Sequence, residues 1–275
     1  MNAKRTLLLL LCLCLLLVSC QKASEAPPLT IHFLDVGQGD ATLIRTVEGD
    51  VLIDAGPESA EPLLCLRLEE LGVKALRLVI FTHPDEDHIG GADGVLARFP
   101  AEEVWTNGVI EAHESALALA NALDSYGLTA KVVRCGTHLS VGGVNFMVLS
   151  PFSEPSDGNE GSLIFKVTFG EVSMLFSGDA ELKAEEELLE KYDPSQLSCE
   201  IYKVGHHGSS TSSSKALLDA MTPRYAIVSC GRENPYGHPH GEVLAALEEV
   251  GAEILRVDHL GEITFWSDGT KLERK

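Results

Sequence analysis

The ten-residue segment that begins at Thr82, Thr-His-Pro-Asp-Glu-Asp-His-Ile-Gly-Gly, has the side-chain types and spacing of a metal-binding loop. It places the imidazoles of His83 and His88 and the carboxylates of Asp85 and Asp87 within six residues. Imidazole nitrogens and carboxylate oxygens together suit borderline divalent cations such as Zn²⁺ or Mn²⁺. Carboxylates this close repel one another unless a cation lies between them. The alternative is a polar loop that is rich in Asp and His and binds no metal.

The elements around this loop must hold it in a fixed place. The apolar run Leu76–Phe81 directly before it is predicted to be a buried strand, and the end of a strand is rigid. Further polar side chains flank other predicted strands: Asp54, Asn159, Asp179, His206, His207, His238 and His240. Strand ends that gather along one edge of a sheet can assemble a metal site from distant parts of the sequence.

Two runs of predicted strands, each flanked by predicted helices, indicate two sheets packed face to face with helices outside. The expected fold is therefore an α/β, four-layer αββα sandwich. Residues 29–275 are predicted to form one domain, because no internal repeat or linker-like stretch interrupts them. Ser209, Ser210 and Thr211 are predicted to open a helix after the histidine pair.

The first nineteen residues have the layout of a secretory signal. Two basic residues precede the leucine-rich run Thr6–Val18, and small residues then precede Cys20. The segment Leu-Val-Ser-Cys that ends at Cys20 resembles the lipobox of bacterial lipoproteins, which implies lipidation of this cysteine. A transmembrane anchor is the alternative, but the apolar run is shorter than the ~20 residues of a spanning helix. We expect residues 1–19 to be a signal peptide and residues 20–28 a tether, with membrane contact through the lipid only.

The chain is strongly acidic, with 21 Lys and Arg residues against 41 Asp and Glu residues and a formal charge of −20. Without residues 1–19 the balance is 19 against 41, a charge of −22. This charge argues against a long nonspecific grip on duplex DNA, which needs many cationic contacts. It does not exclude a nuclease whose metals bind the scissile phosphate.

Outside the first twenty residues, the cysteines are Cys65, Cys135, Cys199 and Cys230, which form no C-x-x-C pair. Export would permit disulfides, and the sequence leaves their pairing open. Apolar neighbours predict that Cys65 and Cys230 are buried thiols.

Five segments resemble the metallo-β-lactamase superfamily, in the order in which that family has them. They are Phe33–Asp40, which contains Gly-Gln-Gly-Asp, Leu52–Gly56, His83–Gly91, Ser177–Asp179 and Lys203–Ser209, which contains Val-Gly-His-His-Gly-Ser. More narrowly, they are similar to the extracellular metallo-β-lactamase-like domain of the competence DNA-internalisation protein ComEC. The matching motifs run from about residue 31 to residue 265.

The resemblance implies two divalent metal ions, Zn or Mn. Their ligands would include His83, Asp85, Asp87 and His88 in a first cluster, with Asp179 as a carboxylate that bridges the two ions. One of His206 and His207 would bind the second ion, and the sequence leaves open which one. Asn159 lies where many superfamily members have a further histidine ligand. Asp85 lies where the commonest pattern has histidine, which favours harder metals and weakens the case for a β-lactamase.

The resemblance also implies an in-line attack on a phosphate by a metal-activated water. Asp87 would accept a proton from that water, and His238 would protonate the leaving oxygen or bind phosphate. Ser209 and Ser210, together with Tyr236, would bind substrate.

Other candidate residues have two interpretations. Asp54 is expected to hold a metal-binding histidine from outside rather than to bind metal itself. For Asp35 and Asp40, a role in stabilising a turn and a role in the site are both open. His32, His113, His138 and His259 are expected to be structural or surface residues.

The leading hypothesis is a lipid-anchored, extracytoplasmic metal-dependent hydrolase of the phosphodiesterase or nuclease type, with DNA favoured by the resemblance. Wall polymers, phospholipid head groups or small phosphodiesters are alternative substrates. A non-catalytic binding module with a relict site is a further alternative, disfavoured because all the expected ligands except a histidine at position 159 are present.

Overall fold

The computed structural model describes residues 28–109, 113–155 and 158–275. The predicted signal peptide, Cys20 and all of the predicted tether except Pro28 lie outside these residues. Among the residues described, no helix combines the length and apolar character that crossing a membrane requires.

The described residues contain fifteen strands and nine helices, with further 3₁₀ turns. The strands are β1 (Leu29–Phe33), β2 (Thr42–Thr46), β3 (Gly49–Ile53), β4 (Leu76–Ile80), β5 (Val104–Thr106), β6 (Ala130–Val132), β7 (His138–Val141), β8 (Val144–Ser150), β9 (Ile164–Phe169), β10 (Val172–Phe176), β11 (Ile201–Lys203), β12 (Tyr225–Val228), β13 (Glu253–Arg256), β14 (Ile263–Ser267) and β15 (Leu272–Arg274). The helices are α1 (Glu61–Glu70), α2 (Glu86–Ile89), α3 (Ala92–Arg98), α4 (Glu114–Tyr126), α5 (Leu182–Lys191), α6 (Pro194–Leu197), α7 (Lys215–Met221), α8 (Gly241–Glu249) and α9 (Val257–Leu260).

The strands form two mixed sheets. The first has the order β15-β14-β1-β2-β3-β4-β5-β6, and the second has the order β13-β12-β11-β10-β9-β8-β7. Strands β3 to β6 are parallel in the first sheet, and β10 to β13 are parallel in the second. The carboxyl ends of these parallel strands are the positions at which open α/β sheets bind ligands.

Three apolar layers hold the sheets and helices together. Phe33, Phe165, Phe176 and Phe265 fill the space between the two sheets, where Phe165 and Phe176 stack with ring centroids 5.1 Å apart. Helices α1, α3 and α4 cover the outer face of the first sheet, and α5, α7 and α8 cover that of the second. The predicted four-layer αββα sandwich is thus confirmed.

The structure corrects several predicted elements. The sequence predicts one helix from the histidine loop to about Phe99, but the structure has two, α2 and α3, which are separated at Gly90 and Gly91. A Cβ atom at Gly90 would lie 2.2 Å from the backbone nitrogen of Glu58, so the close contact with that turn requires glycine. Strands β7 and β15 and helix α6 were not predicted, because each has at most four residues and little periodicity.

The loop after the histidine pair also differs from the prediction. Helix α7 begins only at Lys215, with Ser214 as its N-cap, so Ser209 and Ser210 lie in a loop and do not open the helix. The hydroxyl of Ser214 accepts a hydrogen bond from a free backbone N–H in the first turn of α7, and this cap fixes the start of the helix after Ser214.

The four cysteines of the described residues are free thiols. Cys65, Cys199 and Cys230 are buried and Cys135 is exposed, which agrees with the expectation for Cys65 and Cys230.

Candidate metal centre

The polar side chains singled out in the sequence meet at the carboxyl ends of four strands. Asp54 follows β3, and the loop from His83 to His88 follows β4 in the first sheet. Asp179 follows β10, and His206 and His207 follow β11 in the second sheet. We call the cluster of His83, Asp85, Asp87, His88, Asp179, His206 and His207 the candidate metal centre.

The carboxylate of Asp179 is the middle of this centre. The Nε2 atom of His88 lies 3.1 Å from Oδ1 of Asp179. The Nε2 atoms of His207, His206 and His83 lie 3.4, 3.5 and 3.9 Å from Oδ2 of the same carboxylate. Four imidazoles from two sheets therefore direct the same ring nitrogen at one carboxylate.

The two histidines of the first sheet are held from outside by their Nδ1 atoms. Asp54 accepts hydrogen bonds from the backbone N–H and the hydroxyl of Thr82, at 2.8 and 2.9 Å, and lies 2.8 Å from Nδ1 of His88. Because the Thr82 hydroxyl donates to Asp54, its oxygen accepts the proton of His83 Nδ1 at 3.1 Å. In their neutral forms, both rings then carry the proton on Nδ1 and a lone pair on Nε2.

The histidines of the second sheet follow the same pattern. His207 donates from Nδ1 to the carbonyl oxygen of Ser229 at 3.0 Å, and Nδ1 of His206 lies 3.1 Å from the hydroxyl of Thr211. His206 and His207 lie in a 3₁₀ turn and have left-handed φ angles of 47° and 52°. This uncommon backbone turns two consecutive side chains toward the same carboxylate.

The two aspartates of the metal loop lie at the open side of the centre. Oδ2 of Asp87 is 3.1 Å from Nε2 of His207, and Oδ2 of Asp85 is 3.6 Å from Nε2 of His83. Their side chains are 25% and 37% exposed, whereas His83, His88 and His207 are buried. Ligands at the rim thus face solvent, where a substrate would enter.

The carboxylates and imidazoles of the centre shift one another's pKa values. Burial raises the pKa of Asp179, but His207 and His88 outweigh it and hold this pKa well below its usual range. Burial lowers the pKa values of His88 and His207, but Asp179 and the outer aspartates raise them well above the usual value. Protons on the imidazoles balance the carboxylates here, and a bound cation would take over that role.

The residues fit a bound divalent cation. His88 Nε2 and His207 Nε2 are 3.3 Å apart, which places two lone pairs against each other unless a proton or a cation lies between them. Nε2 of His83 and Oδ1 of Asp179 are buried and have no hydrogen-bond partner among the described residues; His88 is near that oxygen without hydrogen-bonding geometry. Nitrogen and oxygen donors of this kind suit Zn²⁺ or Mn²⁺.

Asp40 belongs to the surroundings of this centre, which answers a question that the sequence left open. It is 4% exposed, its Oδ2 lies 2.7 Å from Nζ of Lys203, and its Oδ1 lies 3.5 Å from Nδ1 of His207. Burial raises the pKa of Asp40, but Lys203 and His207 lower it well below the usual value. One oxygen each of Asp40 and Asp179 and one nitrogen each of His88 and His207 lie within 4.8 Å of one another.

Oδ1 of Asp40 is buried without a hydrogen-bond partner among the described residues, so Asp40 acts on His207 through its charge, while Ser229 holds the ring by its Nδ1 proton. Asp35, by contrast, is exposed and accepts a hydrogen bond from the backbone of Gly37, as a turn residue does. Lys203 is buried beneath the centre and was not assigned a role from sequence. In the sequence, the position of Lys203 directly before the Val-Gly-His-His segment was the signal that could have indicated a place near the centre.

The remaining predicted site residues lie around the rim. The ring of His238 lies 5.7 Å from that of His206 and 6.3 Å from that of His207, and its backbone is held by Asn234. Ser210 is exposed, and its backbone N–H donates to Nδ1 of His240.

Asn159 and Ser209 are each linked to a residue of the candidate metal centre through one intervening residue. The carbonyl of Asn159 accepts a hydrogen bond from Ser162, whose hydroxyl in turn accepts one from the backbone N–H of Asp179. The hydroxyl of Ser209 lies 3.1 Å from that of Thr211, the partner of His206. Metal binding by Asn159 and substrate binding by Ser209 remain predictions.

The histidines without an expected role have structural ones. His32 is 8% exposed and lies 2.8 Å from Glu262, and His113 is the N-cap of α4 and contacts the carbonyl of Pro84.

Comparisons with known proteins agree with this geometry. The family model of the metallo-beta-lactamase superfamily matches residues 34–232. The chain is 31% identical over 255 residues to ComE operon protein 3 of Bacillus subtilis, covering 86% of this chain and 32% of that protein. It is 32% identical over 233 residues to competence protein ComA of Neisseria gonorrhoeae, covering 84% of this chain and 31% of that protein. It thus spans about a third of the length of these curated relatives.

A solved structure shows the same fold. The metallo-beta-lactamase fold protein YhfI from Bacillus subtilis aligns with a TM-score of 0.57 over 88% of this chain and all of that chain, at 11% identity. At this identity the likeness concerns the fold alone.

Proposed function

We propose that this chain, which belongs to the metallo-β-lactamase superfamily, is an extracytoplasmic, metal-dependent phosphodiesterase that hydrolyses DNA with two metal ions. The observation that carries the proposal is the convergence of four imidazole Nε2 atoms on Asp179, with Asp85 and Asp87 at the open rim. Seven donor side chains are enough for two ions that share one carboxylate.

When bound, two ions in such a site lower the pKa of a water and neutralise the charge on a phosphate. In this proposal the side chains of the centre position both the water and the phosphate. His83, His88, Asp179 and His207 are buried and form the fixed base of the centre. Asp87 lies at the rim, where its free carboxylate oxygen can accept a proton from water.

His238 acts in this proposal as a neutral hydrogen-bond donor to the phosphate or the leaving oxygen. Burial, together with the neighbouring imidazoles of His207 and His206, lowers the pKa of His238 to about 4. It is therefore neutral at pH 7, and its Nδ1 is buried without a hydrogen-bond partner among the described residues. A neutral imidazole donates an N–H hydrogen bond, so this proposal develops the phosphate-binding role, one of the two that the sequence left open for His238.

The choice of DNA as substrate rests on similarity to two proteins named for competence, at 31% and 32% identity. The extracytoplasmic location and the lipid anchor rest on the first twenty residues, which end in Leu-Val-Ser-Cys at Cys20. Membrane fractionation of cells that produce the wild type or Cys20→Ser tests the anchor. Equal membrane retention of both would contradict it.

The activity is tested with purified protein that has been stripped of metal and then loaded with Mn²⁺, Zn²⁺ or Mg²⁺. Single-stranded DNA, double-stranded DNA and bis-p-nitrophenyl phosphate are the substrates. We expect metal-dependent cleavage by the wild type and by Asp35→Ala, an exposed aspartate outside the centre, and a loss of at least about 100-fold in Asp87→Ala.

The outcomes separate the hypotheses. Cleavage of the small diester without cleavage of DNA would support the alternative substrates, which the formal charge of −20 also favours. Metal uptake without hydrolysis of any diester would support a binding module. Failure to take up metal would contradict every enzymatic reading.

A further inference from the structure

Tyr236 presents an exposed aromatic ring beside the candidate metal centre. It lies in the loop between β12 and α8 and is 63% exposed. Its ring lies 5.5 Å from that of His238 at an interplanar angle of 23°. The ring of His238 in turn lies 6.3 Å from that of His207 at 27°. Three rings, each inclined by less than 30° to the next, thus lead from solvent to a histidine of the centre.

An open groove runs beside this column of rings. Tyr236 and Pro235 line it together with Asp85, Asp87 and Gln38. The cavity measures about 540 Å³. Gln38 accepts a hydrogen bond from the backbone of Gly231, which ties this lining residue to the loop that carries Tyr236.

The charges around the groove favour a neutral occupant. Among the described residues that line it, there is no lysine or arginine, whereas Asp85, Glu86 and Asp87 are acidic. A second phosphate would find no lysine or arginine among these described lining residues to pair with. A planar, uncharged group would meet an exposed aromatic ring that is already braced by His238. Nucleobases have this chemistry and stack on aromatic side chains.

We propose that the face of Tyr236 turned away from His238 is a stacking subsite for one unpaired nucleobase, next to the phosphate held at the candidate metal centre. This inference rests on the proposed phosphodiesterase function and specifies its substrate class as single-stranded nucleic acid. A base inside a duplex is stacked on its neighbours and must leave the helix to reach this ring, which costs free energy. The enzyme should therefore prefer unpaired strands or strand ends.

The test compares two substrates of equal length and charge. One is single-stranded oligothymidylate, and the other is the same phosphodiester backbone made of abasic residues. With metal-loaded wild type, kcat/KM should be roughly 5- to 100-fold higher for oligothymidylate, as expected for one stacked base. Tyr236→Ala should remove this preference mainly through KM, and Tyr236→Trp should restore it.

Tyr126→Ala is the matched control, because Tyr126 is also exposed, at 51%, but lies at the far end of α4. Metal content and circular dichroism of each variant show that the fold and the centre are intact. A second readout uses an oligonucleotide with 2-aminopurine and phosphorothioate linkages that resist cleavage. Stacking on Tyr236 should quench the fluorescence of 2-aminopurine in the wild type and in Tyr126→Ala, but not in Tyr236→Ala.

The results distinguish this inference from the proposed function. If the wild type cleaves neither substrate, the phosphodiesterase proposal fails. If it cleaves both equally and Tyr236→Ala changes neither, the enzyme stands and the stacking subsite is overturned. A preference for oligothymidylate that survives in Tyr236→Ala also overturns it, because another residue must then contact the base.

Discussion

Single residues decide which nitrogen of each histidine faces the candidate metal centre. Asp54 and Thr82 act together, because the hydroxyl of Thr82 donates to Asp54 and accepts from His83. Asp54 has a left-handed φ of 57°, which brings its carboxylate back toward Nδ1 of His88. This agrees with the expectation that Asp54 holds a histidine from outside.

The first prediction concerns the charge of Asp54. In Asp54→Asn the backbone conformation is kept, because asparagine tolerates a left-handed φ, but the carboxylate that fixes His88 is lost. We expect metal affinity to fall by about 10- to 100-fold, measured by competition with a chelating indicator. Asp35→Asn, a turn residue, should bind metal as the wild type does. Equal affinities in both variants would show that Asp54 does not support the centre.

At the scale of elements, the turn between β1 and β2 is packed against the metal loop. The backbone N–H of Asp40 donates to the carbonyl of Asp87 at 3.1 Å. Gly39 has a φ of 141°, and a Cβ atom there would lie 2.3 Å from the carbonyl oxygen of Asp87. The second glycine of the Gly-Gln-Gly-Asp segment is therefore required where the segment touches this backbone, and the aspartate of the segment reaches across to β11.

The second prediction concerns the buried ion pair between that turn and β11. Lys203→Met leaves the buried carboxylate of Asp40 without its cation, which should cost about 3–5 kcal/mol of unfolding free energy. The double variant Asp40→Asn with Lys203→Met should be more stable than Lys203→Met alone. Urea unfolding measures both.

Lys131→Met is the control for this pair, because Lys131 is 53% exposed and its ion pair with Glu103 lies at the surface. It should cost less than about 1 kcal/mol. If Lys203→Met also costs less than about 1 kcal/mol, the buried carboxylate of Asp40 does not require Lys203 for the stability of the fold.

A second link joins β14 to β1 and α1. Glu262 contacts His32 and Arg67, and its side chain is 20% exposed. Burial raises the pKa of Glu262, but His32 and Arg67 outweigh it and lower the pKa to about 2. Because the pKa in the folded state is depressed below the usual glutamate value of 4.5, the ionised carboxylate stabilises the fold above pH 4.5, and this contribution is lost as the pH falls toward 2.

The third prediction follows from the lowered pKa of Glu262 in the folded state. Glu262→Gln should lower the unfolding free energy by up to about 3 kcal/mol at pH 7 and by almost nothing near pH 2. Urea unfolding between these pH values measures the difference. Glu273→Gln, an exposed glutamate, should follow the wild type at every pH. A pH-independent loss in Glu262→Gln would indicate a packing effect rather than a charge effect.

At the scale of the whole molecule, the candidate metal centre is built from residues of both sheets. His83 and His88 come from the first sheet, and Asp179, His206 and His207 come from the second. A cation bound by both groups would stabilise the sandwich, because it binds the folded chain and not the unfolded one.

The fourth prediction concerns metal binding and pH. Acidic neighbours raise the pKa values of His88 and His207 in the metal-free protein, so a cation that binds their Nε2 atoms must compete with protons there. Metal affinity should therefore rise with pH. Calorimetry in two buffers of different ionisation enthalpy should show proton release, and a melting scan should show about 2.7 kcal/mol of stabilisation at 100-fold excess over Kd. Binding without proton release would contradict the protonation states described here.

The sequence by itself determined the layered architecture, because burial of one face leaves a local periodicity in each strand and helix. It also determined the chemical types of the ligands, since His83–His88, Asp179 and the His206–His207 pair are visible as motifs. Only the tertiary structure decided that all four Nε2 atoms face Asp179 and that Asp40 and Lys203 lie beneath His207. Only the structure placed the ring of Tyr236 in line with them. Several of these relations join residues far apart in the sequence, such as His83 and Asp179 or Asp40 and Lys203. They depend on how two sheets pack, which no local pattern encodes.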